Sequence, residues 1–134
     1  PIFAEGVFSG TGFKNMHHIS TKEINENVDL FNKYSQEIDY LGDYLYQICK
    51  NIYLGDFKKV SKHQWKQSDY DQVKGTSIFF MGGSIGTRGK MADRLISVAQ
   101  EKLYQEFQTP FTFYKIPDPE KAAIAGAALF FNMV

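Results

Sequence analysis

Residues 77–95, SIFFMGGSIGTRGKMADRL, join an apolar run to a glycine-rich turn carrying Ser84, Thr87, Arg88 and Lys90, which then opens into an amphipathic pattern. Glycines at Gly82 and Gly83 let a flat ring or a phosphate lie against the main chain, and the amides that open a helix attract anions. The spacing fits neither common nucleotide fingerprint. A P-loop has four residues between its first glycine and Gly-Lys, then Ser or Thr; here five separate Gly83 from Gly89, and Met91 follows Lys90. Gly83, Gly86 and Gly89 stand three apart rather than as G-x-G-x-x-G. Arg88 and Lys90 oppose the macrodipole of the helix they precede, which points to an anionic partner, with an ordinary solvated pair as the alternative. A plain turn from strand to helix is the alternative for the glycines.

A second glycine turn lies in VFSGTGFKNMHHIS, where Gly10, Thr11 and Gly12 either approach a phosphate or simply start a helix that Ser9 caps. His17 and His18 are adjacent and so lie on different faces of that helix, one packed and one wet. They lack the i, i+4 spacing of a metal pair, and with His63 and Cys49 elsewhere no zinc constellation is expected. Lys58, Lys59, Lys62 and Lys66 surround Trp65, but interleaved acids mark a solvated loop rather than a nucleic-acid surface.

These groups need elements to hold them. Phe31, Tyr34, Ile38, Leu41, Leu45, Ile48 and Ile52 recur at alternating intervals of three and four, one face of a long helix, with starts near Ser20 and near Asn25 or Asn27. Cys49 is expected to be buried in it. Residues 55–75 lose this periodicity and read as a loop or insertion. TSIFFM is a short apolar run that suits a buried strand, RGKMADRLISVAQEKLYQEF places Met91, Leu95, Val98 and Leu103 on one helical face, and FTFYKI alternates as a second strand. In PDPEKAAIAGAALFF, Asp118, Pro119 and Glu120 suit a helix start. Strand, helix, strand, helix predicts a parallel crossover and an α/β domain over residues 1–134.

Composition bounds the partners. The chain has 134 residues with 15 basic and 15 acidic side chains, so zero net charge gives no field favouring nucleic acid or an anionic membrane. With 43% hydrophobic and 16% aromatic residues it belongs with folded proteins. One cysteine excludes an internal disulfide and fits the cytoplasm. No run approaches the ~20 apolar residues of a membrane helix. Pro1 suggests either a removed initiator or a piece of a longer protein. An N-terminal proline is the general base of small tautomerases, but PIFAEGVFSGTG breaks into glycines where those enzymes continue a strand.

Three segments carry a family resemblance. FFMGGSI resembles the FIAGG segment that ends a strand at the adenosine pocket of bacterial-type glucokinases, members of the sugar kinase, actin and heat-shock ATPase superfamily. AEGVFSGTGFKNMHHI resembles their SAERVLSGPGLVNLYRAI, where a glutamate contacts a glucose hydroxyl and a Ser-Gly turn opens a helix beside the nucleotide. IPDPEKAAIAGAALFF is similar to the small-residue ending of the same proteins.

The resemblance implies the C-terminal part of an actin-like ATPase (ribonuclease H-like) lobe, with long helices on a short parallel sheet. It implies a role in phosphorylating glucose to glucose 6-phosphate with ATP and Mg²⁺. Glu5 would be the sugar ligand, and Gly10, Thr11, Gly12, Gly82, Gly83, Ser84, Thr87 and Arg88 the nucleotide contacts. The family's D-x-G-G-T hairpin, catalytic aspartate and Glu-Gly-Gly-His segment have no counterpart among these residues. The chain is therefore expected to need the N-terminal lobe of the same protein and to be inactive alone, and a homodimer would fit the family. A kinase for another hexose or an amino sugar, and a non-catalytic sugar-sensing repressor, share this C-terminal half.

Overall fold

The computed structural model describes residues 8–56, 66–116, 121, 124–125 and 127–129. They form helices α1 (Gly10–His17), α2 (Thr21–Glu26), α3 (Val28–Lys33), α4 (Ser35–Leu54) and α5 (Gln67–Val73). Strand β1 (Ile78–Met81), helices α6 (Gly83–Thr87) and α7 (Gly89–Phe107), and strand β2 (Thr112–Lys115) follow. Glu5, residues 57–65 with Trp65, and Asp118 to Glu120 lie outside the described residues.

Capping chemistry cuts the first helical stretch into three. The Ser20 hydroxyl accepts from the Glu23 amide at 3.2 Å, and the Glu23 carboxylate accepts from the Ser20 amide at 2.9 Å, a reciprocal capping box. The Asn27 side chain accepts from the amides of Asp29 and Leu30 and starts α3. Phe31 therefore belongs to α3 and Tyr34 to the break before α4, so the seven-residue apolar stripe is shared between elements instead of lying on one long helix.

The core lies between α4 and α7. Ile38, Leu41, Leu45 and Cys49 face Met91, Leu95, Ala99 and Leu103, all buried. Each large apolar side chain so enclosed contributes about 1.5–3 kcal/mol. Gly42 sets the separation: a Cβ there would come within 2.6 Å of Val98 Cβ and 2.9 Å of the Leu95 carbonyl oxygen. Ion pairs along the rim join Asp39 to Arg94, Asp43 to Lys102 and Glu106 to Lys50. Partner numbers rise together on the two helices, so α4 and α7 run in the same direction.

β1 and β2 pair in parallel, Ile78 opposite Thr112 and Met81 opposite Lys115, with α6 and α7 making the crossover. This is the expected α/β arrangement, carried by a mostly helical chain and a two-stranded sheet. The sheet's inner face packs Phe79 and Phe113 toward the core.

Two further expectations are corrected. β1 is not buried on both faces: Ile78 and Phe80 are 53% and 70% exposed, because among the described residues helices cover one face only. Phe80 stacks on Tyr114 across that open face, ring centroids 5.4 Å apart. Within residues 55–75, Gln67–Val73 forms a helix. The Asp69 carboxylate accepts from the Lys66 amide at 2.9 Å, and Tyr70 is buried, so one anchor replaces the missing periodicity.

Candidate functional site

The glycine turn stands at the carboxyl end of β1. Gly82 has extended backbone (φ −110°) and caps α6 without any side-chain bond. Gly83 adopts φ +77°, a conformation that glycine accepts without strain. Both residues are exposed, and a Cβ on Gly83 would meet nothing within 4 Å, whereas one on Gly82 would meet only Ile116 Cδ1 at 3.9 Å. The main chain here is thus bare of side chains on its exposed side.

The other two glycines of the stretch serve packing. A Cβ on Gly86 would lie 2.8 Å from Met81 Cε, so this position seats α6 against the end of β1. Gly89, at φ +69°, leaves its space to Asn25, whose Cγ would be 2.5 Å from an added Cβ. The Asn25 carboxamide oxygen accepts from the Met91 amide at 2.9 Å, and its nitrogen donates to the Arg88 carbonyl at 3.3 Å. Asn25 therefore caps α7 from a helix more than sixty positions upstream, a role that its own neighbourhood does not reveal. The expectation of an unpaired helix start after the turn is corrected at this amide, because a side chain occupies it.

The two glycine turns meet. A Cβ on Gly10 would stand 2.9 Å from Ser84 Oγ, so the start of α1 touches the first turn of α6. Ser9 Oγ accepts from the Gly12 amide at 2.9 Å, which makes Ser9 the cap foreseen from its type and engages Gly12 within the helix start. Gly12 is buried, while Thr11 is exposed. The Thr87 hydroxyl donates to the Gly83 carbonyl, fixing the turn from inside, and the Arg88 side chain is exposed. Gly10, Gly82, Gly83 and Ser84 are thereby gathered at one end of the sheet. Thr87 braces it.

Titration is displaced elsewhere. The Arg94 guanidinium, donating two hydrogen bonds to Asp39 at 2.7 and 3.0 Å, holds that carboxyl below its usual value. Lys50, with the Tyr46 hydroxyl also donating, lowers Glu106, and burial raises Tyr46. These are ion-pair groups of the α4–α7 seam. Burial pushes the Cys49 thiol up to about 12, which removes it as a nucleophile. His17 packs on Phe13 with ring centroids 4.5 Å apart, whereas His18 ends α1 exposed. Among the described residues no group of three His, Cys, Asp or Glu side chains is placed to hold a metal ion, and no helix is long and apolar enough to cross a membrane.

No family model, no curated protein and no solved structure matches the chain.

Proposed function

We propose that this chain is the C-terminal part of an ATP-dependent hexose kinase acting on glucose, and that the Gly82–Gly83 turn faces the adenosine of the nucleotide. The supporting observation is the meeting of Gly10 with Ser84 at the carboxyl end of β1, which joins two glycine turns far apart in sequence. Ligands of parallel α/β sheets bind outside the carboxyl ends of the strands. Backbone without side chains lets an adenine or ribose lie flat at this place, and Ser84 stands beside it as a hydroxyl donor and acceptor.

In this reading the triphosphate and its Mg²⁺ are held by loops of a second lobe, which also supplies the base that deprotonates the sugar. Glu5 accepts a hydrogen bond from a sugar hydroxyl. Phosphoryl transfer rests on positioning and charge neutralisation from both sides, so the chain alone binds nucleotide weakly and does not catalyse.

The test is a calorimetric titration of the 134-residue chain with Mg²⁺–ATP, for the wild type and for Gly82→Leu. Gly82 has an ordinary backbone angle and open space, so the variant folds and its side chain covers the proposed surface. Equal nucleotide affinity in both proteins would remove the turn from the site. In a longer protein carrying this segment, coupled glucose phosphorylation with Glu5→Gln tests the sugar contact, and nucleotide binding without turnover would favour a sugar-sensing homologue.

A further inference from the structure

The open face of the sheet carries Ile78, Phe80, Thr112 and Tyr114, as alternation and the parallel register require. None of these side chains is charged, and Lys115 lies on the other face, paired with Asp93 of α7. Parallel sheets of α/β proteins are covered on both faces, so a second layer is wanting. Four residues per strand at about 3.3 Å each make this face about 13 Å long, and two strands about 4.8 Å apart make it about 10 Å wide. That is the footprint of one helix, whose diameter with side chains is about 10 Å. It falls far short of the ~800 Å² that each partner gives to a stable interface, which disfavours a second copy as the cover.

We propose that the cover is the chain's own C-terminal segment, residues 121–129 closing as a helix onto Ile78, Phe80 and Tyr114. Lys121, Ile124, Ala125 and residues 127–129 are helical, and nine helical residues span about 13 Å, the length of the face. Residues 122–131 carry no polar side chain, and a helix apolar all round is one that is buried. Yet Ile124 and Leu129 are 71% and 64% exposed, so in the open arrangement the segment and the sheet each leave apolar surface in water. Docking withdraws both surfaces at once. The reach is short: four residues separate Ile116, which follows β2, from Lys121, within the about two to six of an ordinary strand-to-helix connection. Since α7 fills the other face, the open face is the one left for a helix running back along β2. The proposal involves none of the residues assigned to nucleotide and stands or falls apart from that reading.

The test places a nitroxide on the full 134-residue chain at Leu129→Cys, an exposed position that helical spacing sets away from Ile124 and Ala128. The buried Cys49 does not take the label. Broadening of the Ile78, Phe80, Thr112 and Tyr114 amides in ¹H–¹⁵N spectra is expected, with those of Gln36 and Tyr40 on α4 left sharp. Phe80→Asp, at an exposed position that does not threaten folding, should reduce this broadening roughly threefold or more, because docking would bury an unpaired charge. No broadening at the sheet amides of the wild type would overturn the proposal. So would undiminished broadening in a Phe80→Asp chain that keeps the wild-type amide dispersion. If that variant does not fold, undiminished broadening in Ile124→Asp, altered outside the core, decides against docking. Broadening that appears when spin-labelled chain without ¹⁵N is mixed with unlabelled ¹⁵N chain would give the face to a second copy and overturn the proposal as well.

Discussion

The seam between α4 and α7 and the glycine turn at the end of β1 both depend on glycine, for opposite reasons. Gly42 lacks a side chain because Val98 and the Leu95 carbonyl already occupy the place, so close packing forbids a Cβ. Gly83 lacks one although the place is empty; there the backbone angle demands it. A filled position serves stability, whereas an exposed, unfilled one leaves room for something outside the chain. That contrast separates packing glycines from turn glycines, Gly75 (φ +84°) being of the second kind as well.

The largest expected break is in the seam. Leu95→Ala removes a fully buried side chain at its centre and should cost about 2–5 kcal/mol in urea unfolding, without altering the exposed turn. Gly42→Val comes next, with an expected loss of about 1–3 kcal/mol from overpacking against Val98. Pairing it with Val98→Ala should return part of that loss, and a double-mutant cycle should show coupling of about 0.5–3 kcal/mol. Strict additivity would mean that the two positions do not touch.

At the turn, Gly83→Ala should cost about 1–2 kcal/mol through the left-handed backbone alone, since its Cβ meets no atom. Gly82→Ala, at φ −110°, should stay within about 0.5 kcal/mol of wild type in the same thermal denaturation. Similar losses at both positions would mean that packing, and not backbone angle, governs the turn.

The smallest effect is electrostatic and returns to the seam. The Asp39 carboxyl is held below its ordinary value of 3.8 in the folded chain, so its pairing with Arg94 adds stability above that pH. The contribution fades as pH falls through the lowered value, because the folded state then gives up an ionised form that the unfolded chain has already lost. Asp39→Asn should flatten this part of the acid limb in unfolding measured against pH. Both side chains are well exposed, so the change is small.

Much of the helical framework was legible because it follows from local rules. Apolar intervals of three and four marked α4 and α7, Ser20 and one of the pair Asn25 or Asn27 marked starts, of which the structure uses Asn27, and two short apolar runs marked the strands. Residues 67–73 were not legible, since their helix rests on one buried tyrosine and one capping carboxylate. The open face of the sheet was hidden as well. An apolar run looks the same whether one face or both will be covered, and only the placement of helices exposes Ile78 and Phe80.

The same division runs through the candidate site. Residue type alone determined that Ser9 would cap α1, that Cys49 would be buried and that Gly82 and Gly83 would end a strand. These depend on neighbours within a few positions, where the chain itself fixes geometry. The convergence of Gly10 with Ser84 and the capping of α7 by Asn25 were decided by tertiary structure. Each joins groups on separate elements, and steric exclusion and hydrogen-bond satisfaction act between such groups only once packing has set their distances.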